Sequence, residues 1–237
     1  MATSAAAPQK PQKHLRTESM KKQPWDAVFG VVRDSLTDFA STAGDVQGVW
    51  KLHVCMTSKS EQIDITDKAR NSAEINSMNV SPREAVESIL QHSSIPLLLW
   101  NLGPIERVHV VKRGLPAHSV SELADFMHIT ELSTRHMLGF PESTIARKIK
   151  EGKPLAQDQG ERVLGMMRLI GLTEQIVFDY GDADMAKGFD AAKWLGEWIE
   201  RPQPSLGMKK PSEYLDTATG LEMIETLLKR IAVGAFA

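Results

Sequence analysis

The residue types with the clearest chemistry in this 237-residue chain lie together between positions 143 and 150: Ser143, Thr144, Arg147, Lys148 and Lys150, interleaved with Ile145 and Ile149. On a helix the two isoleucines, four apart, would face a core and leave hydroxyls and cations on the other side. Such a face can read DNA. Ser143 and Thr144 reach base edges or phosphates, Arg147 grips guanine with two hydrogen bonds, and Lys148 and Lys150 meet phosphates. A short helical pattern from Thr130 and a break at Gly139-Phe140-Pro141 complete helix-turn-helix spacing. The same pattern also fits the solvated side of an α bundle, and spacing by itself leaves both readings open.

Catalytic and metal-binding patterns are sparse. All seven histidines precede residue 137, and none sits in an H-x-x-x-H arrangement. His53 and Cys55 share one strand face without a further ligand nearby, and no base is identifiable to activate Cys55. Asp182 and Asp184 follow Gly181, where they suit helix-start charges better than acid–base work. Glycine-rich phosphate cradles and nucleophile elbows are missing from the sequence. The expectation is a binding protein with no cofactor or metal, not an enzyme.

The elements that position these residues divide the chain. Residues 1–24 are rich in Ala, Gln, Lys and Pro with one acid, Glu18, and read as a disordered basic tail. A transit peptide would share the scarcity of acids but carry more Arg. From 25 to 103 comes an extension of unknown role, α+β or partly disordered. Trp25, Val28, Phe29, Val32, Leu36 and Phe39 fall at helical spacing. Leu52, Val54 and Met56 alternate as in a strand, with Ile63 and Ile65 as a candidate partner strand; 71–80 reads as a linker and 82–91 as a short helix. The longest apolar run, Ile95 to Trp100, is too short to span a bilayer. A lone cysteine excludes an intramolecular disulfide, so a reducing cytoplasm and no membrane are expected.

From Gly103 onward the pattern is a succession of punctuated helices. Helix 104–112 closes at Gly114. Ser119 with Glu122 forms a capping box, Thr130 caps the next helix, and Pro141 suits the first turn of the one after, which ends at Gly152. A long helix spans 157–180 with Val163, Met167 and Ile170 on one stripe. Ala191, Trp194, Leu195, Trp198 and Ile199 line another. A capping box of Thr219 with Glu222 begins the last, striped by Leu221, Ile224, Leu228 and Ile231. The fold class is mainly α: a helix-turn-helix region over 104–153 and an α-helical domain over 154–237.

These segments, in order, resemble the Xre/MbcA/ParS antitoxins of bacterial toxin–antitoxin operons. The resemblance runs through "ERVHVVKRGLPAHSVSELADFMHITE", "GFPESTIARKIKEGKPL", "ERVLGMMRLIG" and "FDAAKWLGEW" to "LGMKKPSEYLDTATGLEMIETLLKRIAVGAFA". The last stretch is similar to the family's toxin-binding domain, with its Pro-x-x-x-Leu-x-Thr (Pro211, Leu215, Thr217), following Gly220 and terminal Gly234. The resemblance implies a helix-turn-helix that represses its own operon by binding operator DNA, and a C-terminal domain that obstructs a cognate toxin's active site. In the most similar branch the toxins carry a RES domain and act on NAD. A homo-oligomer or toxin–antitoxin hetero-oligomer is implied as well.

Trp194 and Phe236 join the candidate toxin contacts as aromatic anchors. Trp194 also suits a core position, Phe236 could cover the bundle's end, and Thr217 fits a turn or cap. A stand-alone helix-turn-helix regulator is the alternative function. The family begins close to its helix-turn-helix, so Met78 is a candidate start. The net charge of −2 is a cancellation: +4 over 1–24, −4 over 25–103, +2 over 104–153 and −4 over 154–237. A mildly basic DNA module would stand beside an acidic partner-binding domain.

Overall fold

The computed structural model describes residues 26–43, 86, 94–182 and 188–234. Among them the chain is helical, without a sheet, in the order α1 (Asp26–Ala43), α2 (Ile95–Asn101), α3 (Pro104–Arg113), α4 (Ser119–Phe126), α5 (Glu131–Met137), α6 (Glu142–Lys150), α7 (Gln157–Tyr180), α8 (Ala191–Trp198) and α9 (Ala218–Ala232). Two 3-10 turns, Pro204–Leu206 and Pro211–Tyr214, bridge α8 to α9. The tail 1–24, the strand pattern at 52–65, the linker 71–80, Asp184 and Phe236 lie outside the described residues. So does the helix expected over 82–91, except Val86, which is helical and buried.

The architecture is organised around α7. Its stripe of Val163, Met167 and Ile170 is fully buried, and α2, α8 and α9 pack along it. The apolar run at 95–100 thus becomes α2, a core helix that its length alone did not reveal. Ser94 caps it by accepting a hydrogen bond from Leu97 N at 3.1 Å, and Leu98, Leu99 and Leu102 are buried. The α2–α7 crossing is so close that a Cβ on Gly171 would lie 2.0 Å from the Pro96 carbonyl oxygen, so only glycine fits there. Farther out, α1 buries Val28, Val32 and Leu36, a stripe at four-residue spacing, and rests on α3.

Several local expectations shift. The α4 cap is His118, not Ser119. The Ser119 backbone already turns onto Pro116, and its hydroxyl donates to the Pro116 carbonyl at 2.7 Å, so it cannot act in a capping box. Likewise α9 starts before Thr219: Thr217 is the cap, accepting from Gly220 N at 3.0 Å. The 3-10 turn at Pro211–Tyr214 forces this register, because Gly220 sits where a Cβ would meet the Tyr214 carbonyl oxygen at 1.7 Å. Thr130 caps α5 as its position implies, through Ser133 N at 3.1 Å. Pro141 is the cap of α6 instead of its first helical residue.

Candidate functional site

In α5 and α6 the turn between the helices is sharply fixed. Gly139 adopts a left-handed φ of 65°, and Phe140 is buried behind it. Arg162 of α7 holds this turn from beneath. Its guanidinium lies 4.9 Å from the Phe140 ring centroid, and Nη1 donates to the carbonyl oxygens of Leu138 at 2.7 Å and Asp216 at 3.2 Å. Asp158 pairs with the same side chain. Through Arg162 the turn between α5 and α6 is therefore tied to the loop that leads into α9.

On α6, Ile145 is completely buried, as its spacing requires. Ile149 is not: it is 40% exposed, because α6 runs past its support in its last turn. Ser143, Arg147 and Lys150 are exposed along the outward side, while Thr144 and Lys148 flank it half-buried. Lys148 donates to the Pro154 carbonyl at 2.9 Å and so braces the α6–α7 loop. The neighbouring acids are matched elsewhere, Glu142 with Arg135 at 3.6 Å and Glu151 with Lys153 at 2.8 Å. Arg147 and Lys150 make no ion pair among the described residues, which leaves two cations for an anionic partner. Ala146 lies between Ser143 and Lys150 on this exposed face; small and uncharged, it gave no signal in the sequence.

The candidate partner contacts fall at opposite ends of the C-terminal half. Pro211 and Leu215 are buried, Gly220 is packed on Tyr214, and Thr217 spends its hydroxyl on the α9 cap. These four hold the α9 entry against the helix-turn-helix. Trp194 lies at the far end, stacked on Trp198 at 5.9 Å, with Phe189 6.3 Å away. Gly234 ends α9 there with φ 67°.

At this far end the surface is apolar. Phe178 is 54% exposed and Val233 64%, and Tyr180 and Phe189 are also open to solvent. A groove of about 220 Å³ lined by Ile176, Val177, Phe189, Trp194 and Ile231 opens on one side of this patch. A second of about 380 Å³, with Trp100, Tyr180 and Val233 on its walls, opens on the other. The second groove also carries Asn101, Gln175, Asp179 and Lys229, so apolar side chains here are rimmed by polar ones, an arrangement found at protein-binding faces. The aromatic crowding of "IVFDY" and "GFD" was the available signal for it, masked by its position at a helix end. Among the described residues no cluster of His, Cys, Asp or Glu could hold a metal, and no helix is long and apolar enough to cross a membrane.

Comparisons with known proteins match two successive segments of the chain. Residues 106–168 match the family model described as the antitoxin Xre-like helix-turn-helix domain. Residues 176–234 match that of the antitoxin Xre/MbcA/ParS C-terminal toxin-binding domain. A protein of Sphingobium sp. (strain YBL2) described as a "Prs ADP-ribosylating antitoxin" is 33% identical over 139 residues, 59% of this chain and 86% of the relative.

Proposed function

Since the chain belongs to the Xre/MbcA/ParS antitoxin family, with a helix-turn-helix and a toxin-binding domain, we propose that it neutralises one cognate toxin by covering its active site and represses its own operon through α6. The apolar end of the α7–α9 bundle carries the first half of this reading. Tyr180, Phe189 and Val233 are exposed apolar side chains within the matched toxin-binding segment, the kind of surface that a partner covers. The toxin is of the RES type and transfers ADP-ribose from NAD; the printed description of the Sphingobium relative supports that chemistry. Neutralisation is by binding and involves no catalysis by this chain.

The second half rests on the exposed face of Ser143, Ala146, Arg147 and Lys150, presented as a recognition helix would present it. Operator binding as an oligomer follows from the two half-sites that such helices read.

Co-expression decides between these roles. The chain is expected to restore growth to cells producing the neighbouring RES-type toxin and to co-purify with it. Loss of both outcomes, with operator binding retained, would leave a stand-alone regulator.

A further inference from the structure

Helix α2 lies outside both matched segments, yet its C-terminal end walls the second groove of the apolar end. It runs opposite to α7: Ser94 donates to Glu174 at one end, and Trp100 meets Arg168 at the other. The Arg168 guanidinium lies 5.7 Å from the Trp100 ring centroid and the Lys229 ammonium 5.0 Å from it. Glu225 holds both cations, Arg168 at 3.1 Å and Lys229 at 2.7 Å. The half-buried indole is thus fixed before any partner arrives.

Polar groups along this groove are unspent. Gln175 makes no hydrogen bond among the described residues, and its amide nitrogen is shut off from solvent. Such an orphan costs stability for as long as nothing answers it. The Trp100 indole N–H likewise donates to nothing among the described residues. Asn101 gives its amide nitrogen to the Leu97 carbonyl at 2.9 Å, and no described residue donates to its side-chain oxygen. The cation on the same wall, Lys229, is already taken by Glu225. Neutral donors and acceptors therefore line a cleft of about 380 Å³, beside the apolar Leu172 and Ile176.

Neutral amides in an apolar cleft select partners that both give and accept hydrogen bonds, as main-chain peptide groups do. A helix would leave them unanswered, because its own N–H and C=O groups are already paired. Ile176, Lys229 and Val233 on the same walls belong to the matched toxin-binding segment, which points to the toxin as occupant. We propose that an extended segment of the toxin lies in the α2–α7–α9 groove, its main chain bonded to Gln175, Asn101 and the Trp100 indole. Recognition then draws on residues that neither matched segment contains. This assignment rests on the antitoxin reading and adds the atoms through which the toxin is held.

Two measurements read the outcome: affinity of the full chain for the neighbouring RES-type toxin by isothermal titration, and melting of the chain alone. Gln175→Leu keeps the bulk and the helix but removes the orphan amide. It should melt about 2–4 °C higher than wild type and bind the toxin at least ~10-fold more weakly. Those opposite signs separate a contact from a folding defect. Trp100→Phe keeps a ring between the cations, removes the N–H and should weaken binding at least ~5-fold. Val233→Asp tests the face beneath. If it impairs binding while Gln175→Leu or Trp100→Phe does not, this proposal falls and the antitoxin reading stands; if wild type does not bind the toxin, both fall. A lower melting point of Gln175→Leu would also overturn the proposal. So would tighter toxin binding by a chain ending at Gly234, which would put the last three residues in the groove instead.

Discussion

Arg162 and Asp216 are 54 residues apart in sequence, yet the guanidinium of the first donates to the backbone carbonyl of the second at 3.2 Å, through the same nitrogen that donates to Leu138 at 2.7 Å. One side chain thus closes the helix-turn-helix onto the α9 entry. Gly139 completes the contact, since a Cβ there would lie 3.1 Å from Asp216 Cβ.

Replacing Arg162 by Ala removes a charged donor from two carbonyls and from Phe140. Urea unfolding should show a loss of about 2–3 kcal/mol, the scale of charge-assisted hydrogen bonds with a burial penalty. Operator affinity, measured by fluorescence anisotropy, should fall at least ~10-fold because α6 loses its fixed angle. Unchanged stability and unchanged affinity would show that the turn holds without the clamp.

From the exposed face of α6, Arg147 and Lys150 are expected to be the principal DNA contacts, ahead of the Arg147–Lys148 pair that adjacency in sequence favours. Arg147→Ala should cost ~1–3 kcal/mol of operator affinity and relax base preference at one position. Lys150→Ala should weaken all sequences alike and reduce the salt slope by ~0.9. Lys148→Ala should act mainly on the Pro154 loop. Equal effects of all three variants on the salt slope would contradict this ranking.

At the far end, Phe189→Ser and Val233→Asp should each impair toxin neutralisation in co-expression by at least ~10-fold in complex affinity, as interface anchors do. Operator binding should be unaltered, because α6 is remote. Deleting residues 234–237 tests Gly234 and Phe236 in the same assay; full protection by the shortened chain would dismiss the tail as a contact.

Glu174 supplies a pH dependence. Burial raises its carboxyl above the ordinary 4.5; the hydrogen bond donated by Ser94 opposes this, and Asp190 adds to it. The native state therefore holds this proton at pH values where the unfolded chain has lost it. Stability is greatest below the ordinary value and falls as pH rises toward the raised one. Glu174→Gln, which keeps an acceptor for Ser94, should melt higher than wild type at neutral pH and lose that advantage in acid. A wild-type melting curve unaffected by the substitution at pH 7 would refute the assignment.

A chain beginning at Met78 loses α1 with its buried Val28, Val32 and Leu36 but keeps α2, and should fold with reduced stability, whereas one beginning at Pro104, which loses α2 as well, should not. It would lose Leu98, Leu99 and Leu102, each worth ~1.5–3 kcal/mol of burial, a sum comparable to the whole stability of a domain. Circular dichroism and urea unfolding of the two chains provide the test.

Much of this arrangement is written in local pattern. Gly114, Gly139 and Gly152 mark helix ends, Thr130 marks a start, and the 157–180 stripe reads at the helical period. What escaped has tertiary causes. The run Ile95–Leu99 has no periodicity because both of its sides are covered, so α2 was invisible to pattern. The caps at His118 and Thr217 depend on turns made by Pro116 and by Tyr214, which compete with the more conspicuous Ser119 and Thr219. Ile149 follows the apolar rule in sequence and breaks it in space because no neighbour extends that far. Of the candidate contacts, Leu215 and Gly220 stand out in sequence because the fold needs them inside, while Ala146 stays silent because its merit is only to be small.

Helix α7 joins the two matched segments, 106–168 and 176–234, without a break, so their junction falls within regular helix at Gly171. At ~3.6 residues per turn, one inserted residue there would rotate everything beyond it by about 100°. Phe178 and Tyr180 would then swing off the apolar end while Arg162 stayed in place. A chimera that joins the two segments of different relatives here is thus expected to keep its faces in phase only if the helix length is conserved or changed by about whole turns, the helix acting as a ruler between the segments.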